Sequence, residues 1–152
     1  MKKLILIRHG EAEPETNKIS DFDRDLTNAG KQDAAKMAAL LLNNITAPGL
    51  IITSPALRAL NTAHIFAATF GFDDAVVNDK IFEASAETLL KIVTQLDNED
   101  EVVCLVGHNP GVSNLLYYLT GDITTIPTSS WVEIELTVDS WAEVSNNTGT
   151  LL

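Results

Sequence analysis

The chain has 152 residues and a formal net charge of −11, from 10 Lys plus Arg against 21 Asp plus Glu. That length suits one ordinary domain, which buries roughly 68–70% of its unfolded surface, so a single domain over residues 1–152 is expected. The 45% apolar fraction excludes wholesale disorder. The acidity argues against nucleic acid and anionic membrane surfaces as partners.

Met1-Lys2-Lys3 precedes a brief apolar run, Leu4 to Ile7, that Arg8 and His9 interrupt. The run is too short for the core of a signal peptide, and no later stretch approaches a membrane span. A soluble, reducing, cytoplasmic setting is the expectation. As structure, Leu4 to Ile7 reads as a strand covered on both faces. From Leu26 to Leu42 apolar residues recur at spacings of three and four, which predicts a helix closed by Asn43-Asn44 and Pro48-Gly49. Leu50 to Ile52 predicts a second strand. Ser54-Pro55 then reads as an N-cap and first helical residue of a helix that runs to Phe70 and stops at Gly71.

A short strand at Ala75 to Val77 follows, then a loop through Glu83 and a helix from Ala86 to Leu96. Val102 to Val106 is the clearest buried strand. It contains Cys104, the only cysteine, which reads as a buried small hydrophobe and leaves no disulfide or thiolate cluster. Gly107-His108-Asn109-Pro110-Gly111 turns this strand into a helix ending near Gly121. Val132 to Leu136 alternates as a half-buried strand, with Trp141 to Val144 as a candidate hairpin partner and a frayed tail after Ser145. This rhythm predicts an α/β fold, a three-layer αβα sandwich around a mostly parallel sheet.

In such sheets the loops at the carboxyl ends of the strands form the binding crevice. Here the first strand ends in Arg8-His9-Gly10-Glu11, and the second in Ser54-Pro55-Ala56-Leu57-Arg58. The third is followed by Glu83 and the fourth by His108. Two of the three histidines and two of the three arginines therefore fall on one rim. Two guanidinium groups and an imidazole beside a helix N-terminus suit a phosphoryl dianion, because the arginine fork matches phosphate oxygens. A second imidazole, kept neutral by the neighbouring positive charge, is a nucleophile towards phosphorus. Glu83 is placed to protonate a leaving group. The site thus gathers a positive field that the net charge hides.

With these residues in this order, the chain resembles the histidine phosphatase superfamily, the phosphoglycerate mutase-like group, and within it the small SixA-type phosphohistidine phosphatases. Asp23-Arg24-Asp25-Leu26-Thr27 with Gly30, Arg58-Ala59 with Thr62-Ala63, and Pro127-Thr128-Ser129-Ser130 are similar to further stretches of that group. The resemblance implies that His9 becomes a phosphohistidine intermediate, that Arg8, Arg58 and His108 bind the phosphoryl oxygens, and that Glu83 is the proton donor. Asn17 is two residues out of register with the phosphate-binding Asn of the mutase branch. Larger members insert a helical lid; the short stretch from Glu83 to Gly107 leaves no room for one. An uncapped site suits a phosphorylated histidine on a signalling or phosphotransfer protein, and that protein is the expected partner.

Other readings stand beside these. A general small-molecule phosphomonoester phosphatase would use the same residues, and a non-catalytic phosphate-binding module would need no His9 chemistry. Mutase activity is disfavoured without a lid to exclude water. Glu83 has an alternative reading as a solvated loop carboxylate, second to its acid role, and Glu11 carries no assignment. Arg24 is expected to pair with Asp21 or Asp25 as readily as to meet substrate, and His64 to pack in its apolar helix. Gly107 and Gly111 fit neither a P-loop nor a dinucleotide fingerprint, and two histidines spent on phosphate leave no metal set. No cofactor is expected, and the phosphatase is expected to be metal-independent.

Overall fold

In the computed structural model, which describes all residues from Met1 to Leu152, the run Leu4 to Ile7 is wholly inaccessible to solvent. It forms the middle of β1 (Lys2–Arg8). Helices cover both faces of this strand, so the side chains of its middle run, Leu4 to Ile7, are all apolar. The other strands are β2 (Leu50–Thr53), β3 (Val76–Val77), β4 (Val102–Gly107), β5 (Trp131–Leu136) and β6 (Gly149–Leu151). They make one six-stranded sheet in the order β3-β2-β4-β1-β5-β6. The first four run parallel, and β5 is antiparallel to both β1 and β6.

Alternating side chains divide the interior into two cores. Ile5, Ile7, Ile51, Cys104 and Val106 face α1 (Asn28–Asn44) and α2 (Leu57–Phe70). Leu4, Leu6, Ile52, Val103 and Leu105 face α3 (Ala86–Thr94) and α4 (Gly111–Thr120). The mixed, mostly parallel three-layer sandwich is as expected. No helix is long and apolar enough to cross a membrane.

Thr27 caps α1 by accepting from the Gly30 N–H at 2.9 Å, and left-handed Gly71 ends α2. Three local expectations are corrected. Ser54 does not cap α2: it continues β2 through a bond from its N–H to the Val106 carbonyl, and the helix begins only at Leu57. Trp141 to Val144 forms no strand, because the Trp141 ring is fully buried in a 3₁₀ turn and its indole N–H donates to the Asp100 carbonyl at 2.7 Å. The tail is not frayed, since Gly149–Leu151 pairs with β5 as its edge partner.

The register is what builds the site. Arg8 is paired with Gly107 across β1 and β4, so His9 and His108 leave the sheet side by side. Thr53 pairs with Val106 on the other flank of β4, which brings Ser54 to the same rim.

Candidate active site

His9 and His108 stand with ring centroids 5.2 Å apart. The Gly10 carbonyl lies 2.8 Å from His9 Nδ1. A carbonyl can only accept, so Nδ1 carries the proton and Nε2 keeps its lone pair. This is the tautomer a nitrogen nucleophile needs. The Gly10 N–H in turn donates to Thr62 Oγ1 at 3.0 Å, and the Thr62 hydroxyl donates to the Arg58 carbonyl at 2.8 Å. One threonine on α2 therefore ties the loop that follows His9 to the helix that carries Arg58.

His108 Nε2 lies 2.7 Å from Ser54 Oγ, which already accepts from the Ala56 N–H at 3.2 Å. Ser54 is inaccessible to solvent, and no other acceptor faces its hydroxyl. Donation from Ser54 to Nε2 satisfies that proton and places the His108 proton on Nδ1. Burial, above all, lowers the pKa of His9 to about 4, and the charges of Arg58, Arg8 and Arg24 add to the effect while the Gly10 bond opposes it. Burial likewise lowers His108 to about 3, helped by His9 and Arg58 and opposed by Asp21. Both rings are neutral at neutral pH.

Arg58 lies in the first turn of α2, 6% exposed. Its Nη1 donates to the Asp21 carbonyl at 2.7 Å, and its Nη2 meets Asp21 Oδ2 at 3.3 Å. Arg8 Nη1 donates to the Ile126 carbonyl at 3.1 Å, an oxygen shared with Asn109 Nδ2 at 3.0 Å. The buried Nε atoms of Arg8, Arg24 and Arg58 have no partner, and neither does His108 Nδ1 or Ser129 Oγ. Unsatisfied buried donors of this kind cost stability unless a ligand completes them.

Glu83 lines an open cleft of about 530 Å³ together with Arg58, Ser85, His108, Asn109 and Asn114. It is exposed, and its backbone sits at φ 53, a conformation costing on the order of 1–3 kcal/mol for a non-glycine residue. The loop is held tightly against α4: a Cβ on Gly111 would meet the Ala84 carbonyl oxygen at 2.2 Å. Only glycine permits that approach. Between Glu83 and Gly107 the only regular elements are α3 and β4, with no inserted lid helix.

The structure therefore brings together every residue that the sequence placed at the rim: Arg8, His9, Arg58, Glu83 and His108. Arg24 pairs with Asp21 at 3.5 Å. Asn17 is exposed, while Glu11 accepts from the Thr27 hydroxyl at 3.0 Å. His64 does not pack in the core. It is exposed on α2, with Nδ1 2.9 Å from Asp74 Oδ1, because its position on the helix faces solvent rather than the sheet. Sequence reading missed the contacts of Asp21 with Arg58 and of Ser54 with His108, having named Asp21 only as a partner for Arg24 and Ser54 only as a helix cap. Ser54 had a signal, since it directly follows a strand at the same rim; Asp21 had none, lying in a polar segment crowded with carboxylates.

A set of donors suited to phosphate around a neutral histidine agrees with comparison against known proteins. The profile of the histidine phosphatase superfamily (branch 1) matches residues 4–89, more than half of the chain. The chain belongs to the histidine phosphatase superfamily. Superfamily hydrolase or mutase chemistry is thereby supported. A protein from Agrobacterium tumefaciens, assigned as the phosphohistidine phosphatase SixA, is 30% identical over 89% of this chain and 92% of that one, with a TM-score of 0.82. The protein histidine phosphatase SixA complexed with tungstate shares the fold at 23% identity, covering 99% and 94% of the two chains with a TM-score of 0.83. Mycobacterial glucosyl-3-phosphoglycerate phosphatase shares it at 17% identity, 100% and 96% coverage and a TM-score of 0.73. The phosphoglycerate mutase-like fold of this superfamily member is thus the one its residue order implied.

Proposed function

We propose that this superfamily member is a metal-independent phosphohistidine phosphatase, acting on a phosphorylated histidine of a signalling or phosphotransfer protein in the cytoplasm. The observation that carries this reading is the charge of the cleft. Beyond Arg58, the one arginine in the lining, the cleft is neutral apart from the Glu83 carboxylate. Phosphoglyceryl substrates bring a carboxylate of their own, and no cation in the lining is free to receive it. An imidazole leaving group brings none, and it leaves more readily when protonated.

The proposed reaction is a double displacement at phosphorus. His9 Nε2 attacks in line, a P–N bond to His9 forms, and the P–N bond to the substrate imidazole breaks. Arg8, Arg58 and His108 hold the phosphoryl oxygens. The departing imidazole nitrogen takes a proton from Glu83 in its carboxylic-acid form or from water. Water then attacks the phosphorylated His9, a P–O bond forms as the P–N bond to His9 breaks, the water proton passes to the Glu83 carboxylate, and inorganic phosphate leaves. The open cleft admits a side chain presented on another protein.

The test is to supply a phosphohistidine peptide, phosphoserine and 3-phosphoglycerate to the enzyme with chelator present. The reading expects a higher kcat/KM for the phosphohistidine peptide and labelled phosphate trapped on His9. Faster turnover of either ester sinks it in favour of a general phosphatase. Turnover that survives His9→Ala sinks the covalent mechanism.

A further inference from the structure

One carboxylate of the site is held by two arginines. Asp21 lies on a 3₁₀ turn (Asp21–Asp23) in the segment between β1 and α1. Its Oδ2 is 3.3 Å from Arg58 Nη2, and its Oδ1 is 3.5 Å from Arg24 Nη1. The segment is pinned in place rather than loose. Ala12 bridges to Leu26, the Glu13 N–H donates to the Asp25 carbonyl at 2.8 Å, and Asn61 Nδ2 donates to Asp25 Oδ1 at 2.6 Å. Phe22 packs edge-on against Phe82 at 5.1 Å, and Phe82 packs edge-on against His108 at 5.7 Å. An aromatic stack thus anchors the turn of Asp21 to one of the two histidines of the site.

The charges then close on a simple balance. Arg8, Arg24 and Arg58 supply three positive charges around the phosphoryl position, Asp21 removes one, and both histidines are neutral. The remaining two match a phosphoryl dianion, and the Glu83 carboxylate in the cleft lining adds a negative charge, so nothing is left for a second anionic group. We infer that Asp21 is a specificity-determining residue. It screens the arginines, so that the site accepts a phosphoryl group on a neutral or cationic leaving group and rejects one bearing a neighbouring carboxylate. The inference rests on the phosphatase reading, and it adds the chemical class of leaving group and the residue that selects it.

The experiment compares two non-hydrolysable ligands, propylphosphonate and 3-phosphonopropionate, which differ by one carboxylate. Their Kd values are measured by calorimetry at a pH where both phosphonates are dianions. The native enzyme is expected to disfavour 3-phosphonopropionate by roughly tenfold or more, the scale set by like charges a few ångströms apart in a partly screened site. Asp21→Asn keeps the carbonyl that holds Arg58 and should narrow that ratio at least about fivefold. Asp21→Glu, which restores the charge, should retain the native ratio. Glu15→Gln, the same charge change on an exposed residue of the same segment, should leave it unchanged.

Equal affinity of the native enzyme for the two ligands overturns the inference. So does an unchanged ratio in Asp21→Asn, or an equal change in Glu15→Gln. A native enzyme that binds the pair as expected but fails to turn over the phosphohistidine peptide removes the functional reading and leaves the charge selection standing as a binding property.

Discussion

The two ends of the central sheet both bury cations and polar groups, and they treat them in opposite ways. At the amino end, Lys2 is 4% exposed, donates to the Asn98 carbonyl and lies 6.0 Å from the centre of the Trp141 ring. The Trp141 N–H donates to Asn98 Oδ1 at 2.9 Å, and its indole N–H to the Asp100 carbonyl. Each of these donors has its partner. At the carboxyl end, three arginine Nε atoms, His108 Nδ1 and Ser129 Oγ have none. Every buried side-chain polar atom of this chain without a partner belongs to that rim or the segment packed on it. The amino end is a structural clasp, satisfied within itself. The carboxyl end is a site whose hydrogen bonds a ligand must complete, and the fold carries the cost of leaving them open.

Substitutions separate the two ends, starting with His9. His9→Ala should lower turnover of the phosphohistidine peptide by at least about a thousandfold, with a melting temperature close to native, because a catalytic unit fails as a whole when its nucleophile goes. Trp141→Ala should do the reverse. Emptying the clasp costs about 3–5 kcal/mol of stability in urea titration, while kcat measured on the folded fraction stays near native. Loss of kcat beyond the folded fraction would break the division between the two ends.

Ser54→Ala removes the donor that sets the tautomer of His108. A fall in kcat of roughly tenfold to a hundredfold is expected, with KM little changed. ¹⁵N NMR of the His108 ring should show the proton moving from Nδ1 to Nε2. An unmoved proton would show that Ser54 only fills space.

Acid should sharpen the contrast by a smaller margin. The folded pKa values of His9, about 4, and His108, about 3, lie below the unfolded value of 6.5. Between those limits the unfolded chain binds more protons, so the stability these rings contribute is complete above pH 6.5 and is lost as pH falls toward 4 and below. Urea midpoints measured across that window should decline, and His108→Asn should flatten the decline. The acid limb of phosphoenzyme formation should likewise sit near the depressed value for His9 rather than near 6.5.

Much of this molecule was legible because its signals are local. A run such as Leu4 to Ile7 has only one stable environment, and Arg8-His9 and Gly107-His108 directly follow strands, so a rule about strand ends found them. The errors have a shared cause. Ser54 has the chemistry of a helix cap, but its hydroxyl is drawn to a histidine 54 positions away. Trp141 looks like a strand residue, yet the largest buried side chain goes where the core has room and a carbonyl awaits its indole N–H. His64 sits in an apolar stretch, but the rotation of α2 turns it outward to Asp74.

The sequence by itself determined the alternation of strands and helices, the family, and which side chains reach the rim, since each depends on residue type and spacing along a few consecutive positions. Only the tertiary structure decided how those side chains are poised. The register of β1 on β4 set the two imidazoles side by side, burial and the surrounding arginines made both neutral, and Asp21 reached Arg58 from 37 positions away. Those are properties of distance and dielectric, which a linear chain does not possess until its sheet is assembled.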